Sequence, residues 1–324
     1  MTGKRVALHM KYASLSFLSL QTASHVVATR YSRATNRDSP YLPSTVVALV
    51  EIFKMLITLS MLFAEKGYSF STTLQTISCE VLKKPRETIK LSVPALLYVI
   101  QNSLLFVALS NLDSATYQVC YQLKILTTAL LSVAMLHKRL RISQWFALIL
   151  LTSGVVLVQL AKSEGAESAA KSKEGSVFIG LLTVVAASCL SGFSGVYFEK
   201  VLKGSNQSLW IRNVQLGGFS IVIAFASIYV KDGETVAANG FFQGYTYLTW
   251  LIILLGVLSG ITVALVVKYA DNILKGFATS ISILISTLVS FYFLDDFEPS
   301  FGFFIGATLV IFATFLYGIE FGKK

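Results

Sequence analysis

The sequence predicts an all-α integral membrane protein of ten transmembrane helices, arranged as two inverted five-helix repeats. Three observations lead there. The 324 residues are 54% hydrophobic and 14% charged, with a mean hydropathy of +0.68, whereas soluble domains carry about 25% charged residues. Apolar runs of roughly 20 residues, the length that crosses a hydrocarbon core, recur along the whole chain. One short pattern, Leu-Lys-x-x-x-Thr, occurs as Leu123, Lys124, Thr128 and again as Leu274, Lys275, Thr279.

The first span is expected over 12–30, entered from a basic cap with no cleavable signal peptide. Spans follow at 44–65, 88–111, 114–136 and 142–160, completing a first half over 1–160. Residues 161–174 are small, polar and nearly balanced in charge, which reads as a flexible linker. The second half, 175–324, holds spans at 175–199, 209–230, 247–268, 272–294 and 300–319. An odd number of spans per half turns the second half upside down relative to the first. That matches an inverted repeat with its site near the midplane between the halves. The lysine pattern falls on the fourth span of each half. Gly256-x-x-x-Gly260 and Gly302-x-x-x-Gly306 are small-residue pairs that let helices approach closely.

Ten spans put both termini on one side of the bilayer. Most of the 27 Lys and Arg residues fall in loops on that side; Arg30, Arg33, Arg37, Lys162, Lys171, Lys173 and Lys231 fall on the other. The positive-inside rule therefore makes the termini cytosolic. The acidic Asp295-Asp296-Phe-Glu298 loop then faces the lumen, and the sequon Asn206-Gln-Ser208 is cytosolic and unused. The net charge of +10 does not indicate a nucleic-acid partner, because the basic residues sit in short loops where orientation signals belong. Cys79, Cys120 and Cys189 form no metal or redox spacing, and His9, His25 and His137 are scattered. No metal and no cofactor is implied.

Chemistry rests on a small set of intramembrane polar residues. Lys124 lies ~11 residues from the nearest end of its apolar run, too deep to snorkel. A charge there costs roughly 2.5–3.5 kcal/mol even on lenient insertion scales, so a wet cavity or an anion is expected beside it. Lys275 lies nearer a span end. Glu51 and Lys54 are spaced i, i+3 on one helix face: they are either an ion pair that orders helices, or a cavity lysine held by its carboxylate. Tyr98 and Asn102 share a face of the third span. Tyr117, Tyr121 and Lys124 form a stripe at i, i+4, i+7. The sixth span adds Ser191 and Gly192, with Gly195 and Gly276 as candidate hinges, and the seventh begins Trp210-Ile-Arg212-Asn213-Val-Gln215. Aromatic rings stack on bases, amides read base edges and lysines neutralise phosphate. Together these groups suit a nucleotide, although for any single Tyr or Asn helix packing is the simpler role.

There is no phosphate-binding P-loop, no zinc signature and no lumenal domain large enough for a glycosyltransferase. The chain is therefore not expected to be an enzyme. A multi-span enzyme using a nucleotide-activated or lipid-linked sugar is the alternative class, disfavoured by short lumenal loops. A cation exporter is disfavoured by the buried lysines, and a scaffold would leave their cost unexplained.

Long motifs carry a resemblance. They include Gln101-Asn102, Asn-Leu-Asp-Ser-Ala-Thr-Tyr117-Gln-Val-Cys-Tyr-Gln-Leu-Lys124 and Ser191-Gly-Phe-Ser-Gly-Val-Tyr-Phe-Glu-Lys200. Trp210-Ile-Arg-Asn213-Val-Gln, Phe-Gln-Gly-Tyr245 and Lys268-Tyr-Ala-Asp-Asn-Ile-Leu-Lys275-Gly continue it. Over nearly its whole length the chain resembles the Golgi nucleotide-sugar transporters of the drug/metabolite transporter superfamily. The resemblance implies alternating access and exchange of a cytosolic nucleotide sugar for a lumenal nucleoside monophosphate. It implies that Lys124 and Lys275 clamp phosphate, that Tyr98, Asn102, Tyr117 and Asn213 contact the nucleoside, and that Lys54 lies beside the sugar or phosphate end. Members that carry CMP-sialic acid have Tyr and Ser four and six residues after the matching Asn. Gly217 and Phe219 stand there in this sequence, which is similar to the UDP-sugar members, and the motifs point to the branch carrying UDP-N-acetylglucosamine and UDP-galactose, with UMP as counter-substrate. Exchange of CMP-sialic acid for CMP is the runner-up. A homodimer is compatible with the sequence and nothing in it requires one.

Overall fold

The computed structural model describes residues 2–35, 41–112, 117, 120–164, 176–204, 207–293 and 300–319, and among these every regular element is helical. The first half of the chain supplies α1 (Thr2–Thr35), α2 (Pro43–Glu65), α3 (Phe70–Ile77), a π-helical turn (Ser78–Leu82), α4 (Pro85–Ile89), α5 (Ser92–Asn111), α6 (Leu123–Leu136) and α7 (Ile142–Glu164). The second supplies α8 (Val177–Lys203), α9 (Leu209–Asn239), α10 (Tyr247–Tyr269), α11 (Asn272–Phe293) and α12 (Phe301–Ile319). Among the described residues seven stretches are long and apolar enough to cross a membrane: Pro43–Glu65, Pro85–Leu105, Ile142–Ala161, Val177–Lys203, Leu209–Asn239, Tyr247–Tyr269 and Asn272–Val289. This is a multi-span helical membrane protein. Helices α6 and α12 are apolar but shorter.

Helix α1 falls outside the seven because its apolar residues alternate with Ser14, Ser19, Gln21, Ser24 and His25. The hydroxyls are satisfied within the helix: Ser14 donates to Lys11 O at 3.0 Å, Ser19 to Leu15 O at 3.1 Å and Ser24 to Leu20 O at 3.0 Å. Several helix boundaries differ from the sequence expectation, two of them at charged segments. The helix expected over 209–230 continues to Asn239, because Asp232 stays on it and accepts a hydrogen bond from Ser44 Oγ at 2.5 Å. Helix α7 runs on to Glu164, so the expected linker 161–174 begins as helix; residues 165–175, the acidic loop 294–299 and Asn206 of the sequon lie outside the described residues.

Contacts divide the chain into two compact units, each discontinuous in sequence. The first comprises Met1–Leu96 with Val201–Ala270, the second Leu97–Lys200 with Asp271–Lys324. In the first unit α2 packs against α9 and α10, and α10 against α1. Ala48 is buried with Ala224 and Ile228, Leu62 with Ile211 and Val214, and Val46 with Ile252, Ile253 and Val257. The pair Gly256 and Gly260 lets α2 come close to α10: a Cβ would stand 2.9 Å from Val50 Cγ2 at Gly256 and 2.7 Å from Lys54 Cδ at Gly260.

In the second unit α7 and α12 form the tightest helix pair. A Cβ at Gly154 would stand 2.8 Å from Gly306 O, and one at Gly306 would stand 2.7 Å from Gly154 O. Backbone meets backbone there, as small residues allow in membrane bundles. Of the second predicted glycine pair only Gly306 makes this approach. The nearest atom to a Cβ on Gly302 is 3.6 Å away, on Ser300. Around the crossing Leu148, Leu151, Val155, Val158, Phe277, Val310 and Tyr317 form one apolar cluster.

Candidate substrate site

The predicted site residues fall into both units, and each group is coherent within its own. In the second unit Tyr117 and Tyr121 stack with ring centroids 6.1 Å apart and planes within 9°. Lys124, the second residue of α6, holds its Nζ 4.2 Å above the Tyr121 ring centroid. This cation–π contact is worth about 0.5–2 kcal/mol and replaces part of the lost hydration. Gln101 Nε2 donates to the Tyr121 hydroxyl at 3.0 Å. Ser191 hydrogen-bonds the same phenol, and Tyr98 lies close to it. Tyr98 is itself 55% exposed. The side chain of Asn102 lies outside the described residues. The sequence stripe of two tyrosines and a lysine is therefore a physical one: an aromatic shelf ending in a cation.

Lys275 joins this group. It is close enough for its charge to act on Lys124, and both lysines are half-buried. Among the described residues neither ammonium makes a salt bridge within 4.0 Å. Lys275 sits in the first turn of α11. Asp271 caps that turn by accepting from Leu274 N–H at 2.8 Å, and its carbonyl accepts from Lys275 N–H at 3.1 Å. The positive end of the helix dipole thus adds to the lysine charge. Two like charges held near each other in a poorly solvated place repel strongly, and an anion between them relieves both.

Gly192 does not face ligand space. A Cβ there would stand 2.9 Å from Thr127 Oγ1 and 3.0 Å from Thr128 N, so the glycine allows α8 to seat against the helix that carries Lys124. Thr127 Oγ1 completes that contact by donating to Ser188 O at 3.0 Å. Gly195 plays the same part toward Asn272, whose Nδ2 would be 2.3 Å from a Cβ. Gly276 has open space around it.

In the first unit Glu51 and Lys54 form the expected ion pair, with only 17% and 12% of their side chains exposed. The Lys54 stem crosses α10 over Gly260. Asn213 is buried and donates to Leu209 O at 2.9 Å, turning its amide onto its own helix. Gly217 faces Met55, the neighbour of Lys54, with a would-be Cβ 2.9 Å from the flexible Cε end.

Sequence reasoning missed two ionic clusters. Arg212, expected at the start of the seventh span, is 1% exposed. It pairs with Glu87 at 3.0 Å and donates to Gln215 Oε1 at 3.1 Å. Beside it Glu80 accepts from Lys84 at 2.7 Å and from Gln207 at 2.5 Å. These two hydrogen bonds, Lys84 first, hold the Glu80 carboxyl below the usual carboxylate range. A cavity of about 640 Å³ in the first unit opens over this network; neither Lys54 nor Asn213 lines it. In the second unit Glu199, fully buried, accepts from Lys138 Nζ at 2.9 Å and from Asn272 N–H at 2.9 Å. Lys138 also lies 3.3 Å from Asp271. A signal for this second cluster was present: Ser188, Gly192, Gly195 and Glu199, spaced four, three and four, share one helix face. Among the described residues no group of three or more His, Cys, Asp or Glu could hold a metal ion.

Residues 6–318 match the family described as nucleotide-sugar transporters. The chain belongs to that family. It is 50% identical over 316 residues to the UDP-N-acetylglucosamine transporter of Bos taurus, covering 97% of each chain. It is 50% identical over 313 residues to the Homo sapiens protein of the same description, covering 96% of each. The UDP-galactose/UDP-N-acetylglucosamine transporter of Caenorhabditis elegans is 45% identical over 311 residues, 95% of this chain and 82% of that one. A solved crystal structure aligns with a TM-score of 0.66 at 12% identity, over 96% of this chain and 99% of that one, a likeness of fold alone. These relatives are described as transporters, not enzymes, in line with the expectation from the sequence.

Proposed function

We propose that this chain exchanges cytosolic UDP-N-acetylglucosamine, and UDP-galactose as a second cargo, for lumenal UMP across the Golgi membrane. Transport runs by alternating access between two inverted five-helix halves, 1–160 and 175–324, with ten crossings and both termini cytosolic. The observation that carries this reading is the shelf of Tyr117 and Tyr121 beside two lysines that, among the described residues, have no carboxylate within salt-bridge reach. A pyrimidine nucleotide matches it part for part. The base stacks on an aromatic face and the phosphates neutralise Lys124 and Lys275. Asn213 is assigned to the nucleoside, and Lys54, paired with Glu51, to the sugar or phosphate end. The sugar choice follows the relatives' descriptions as UDP-sugar transporters. It also follows Gly217 and Phe219, which put no polar side chain where the CMP-sialic acid members have two.

UMP retains the uridine and one phosphate, so it uses the same shelf and clamp as the UDP-sugar and serves as the returning load. The test is uptake into proteoliposomes loaded with UMP or CMP, with UDP-N-acetylglucosamine, UDP-galactose or CMP-sialic acid outside. UMP-dependent uptake of UDP-sugars is expected. CMP-driven uptake of CMP-sialic acid would reverse the sugar assignment, and no exchange with any pair would overturn the antiport reading.

A further inference from the structure

We infer that Glu199, held by Lys138, is the positioning residue for Lys275, fixing the start of α11 so that the Lys275 ammonium reaches the phosphate. The inference rests on the proposed role of Lys275 as a phosphate contact. It begins from the cost of burying Glu199. A carboxylate with 0% exposure inside a helical bundle loses most of its hydration, and it persists only where hydrogen bonds and counter-charge compensate. Both are supplied here, and both come from the ends of neighbouring elements. One oxygen accepts from Lys138 Nζ, two residues past the end of α6. The other accepts from Asn272 N–H, the first residue of α11. Glu199 is thus a bracket between the far end of the helix that carries Lys124 and the first turn of the helix that carries Lys275.

Three further contacts make that bracket specific. Lys138 also reaches Asp271 at 3.3 Å, and Asp271 caps the same turn through Leu274 N–H. The Asn272 side chain lies against Gly195, where any larger residue would push it away. Glu199 is close enough for its charge to act on Lys275, yet it makes no salt bridge with it. The bracket therefore stabilises the lysine as a cation without occupying it, leaving the ammonium available to an incoming phosphate. A direct Glu199–Lys275 pair would have competed with substrate.

The test is UMP affinity of the purified full chain by titration calorimetry. The wild type would be compared with Glu199→Gln, Lys275→Ala and the double variant, and with Lys138→Met and Lys138→Arg. Gln keeps an oxygen for Asn272 N–H but releases Lys138. Glu199→Gln and Lys138→Met should each weaken UMP binding roughly tenfold, the size expected of coupled neighbours. Lys138→Arg should recover most of that loss. The double variant should bind no more weakly than Lys275→Ala alone, because a mispositioned lysine and a missing one fail alike. Equal affinity of Glu199→Gln and wild type, or a loss that simply multiplies with that of Lys275→Ala, overturns the positioning role. If Glu199→Gln does not fold, the Lys138→Met and Lys138→Arg pair, at a partly exposed position, carries the same comparison. A wild-type chain that binds no UMP would overturn the exchange reading itself and this inference with it.

Discussion

Lys124 combines a burial cost with a partial remedy. Its Nζ lies over the Tyr121 ring, which recovers part of the hydration energy, and Lys275 nearby adds repulsion. In the absence of an anion this is an unfavourable place for a cation. Lys124→Met, similar in length and apolar, should therefore raise the thermal stability of the purified protein, by on the order of 1–3 kcal/mol. The same substitution should abolish the stabilisation that UMP gives the wild type. Unfolding curves with and without UMP read both effects; a destabilised variant with an intact ligand shift would contradict the assignment. The stripe Tyr117, Tyr121, Lys124 was legible because helical spacing and a misplaced charge are both written in one stretch of chain. Arg212 and Glu199 were not legible in the same way. Each sits next to a span end, where a charge is ordinarily solvated, and the carboxylate or amide that buries it lies 125 or 73 residues away along the chain.

At the scale of elements, helices declare themselves by apolar length, and their positions followed from the sequence to within a turn for α2, α10 and α11. The seventh expected span fell nine residues short, since a charged turn such as Lys231-Asp232-Gly-Glu234 reads as an exit from the bilayer although it remains helical. Gly306 was correctly read as a packing glycine, but its partner Gly154 stands in no GxxxG pattern and only the fold pairs them. Gly306→Ala should destabilise the second unit by about 1–3 kcal/mol, the usual cost of overpacking, because the new methyl meets a carbonyl that has nowhere to go. A drop in melting temperature with unchanged UMP affinity per folded molecule is the expected result. The Glu80 network gives a different test. Its carboxyl is depressed by hydrogen bonds from Lys84 and Gln207, so its stabilisation is present above the ordinary value of 4.5 and is lost as pH falls below it. Melting temperature should accordingly fall more steeply below about pH 4.5 in the wild type than in Glu80→Gln; parallel curves would show that the pairing contributes nothing.

For the molecule as a whole, the two lysines bear on how transport is coupled. Moving an unloaded carrier would expose uncompensated charge to the bilayer, and about 3 kcal/mol for even one of the two lysines corresponds to roughly a hundredfold in rate. Efflux of UMP from loaded vesicles should therefore be slow without external nucleotide and should accelerate by at least about that factor when UDP-N-acetylglucosamine is added. Comparable rates in the two conditions would mean that the empty form returns readily. The family, the helical class and the kind of cargo could all be read from motifs and hydropathy. The division into units could not, since each takes helices from both ends of the chain and only long-range packing decides which ones.

The crossing of α7 and α12 has a bearing on motion. Where two helices touch through side chains, one can slip past the other by exchanging which knob fills which gap. At Gly154 and Gly306 main chain meets main chain, with Val158, Leu309 and Val310 closed in around the contact. Sliding there would have to pass a carbonyl over a carbonyl, so the pair has no intermediate register to occupy. The two helices act as a single strut. Whatever opens and closes in this transporter, the gap across that strut is the ruler against which the movement of the other helices can be measured.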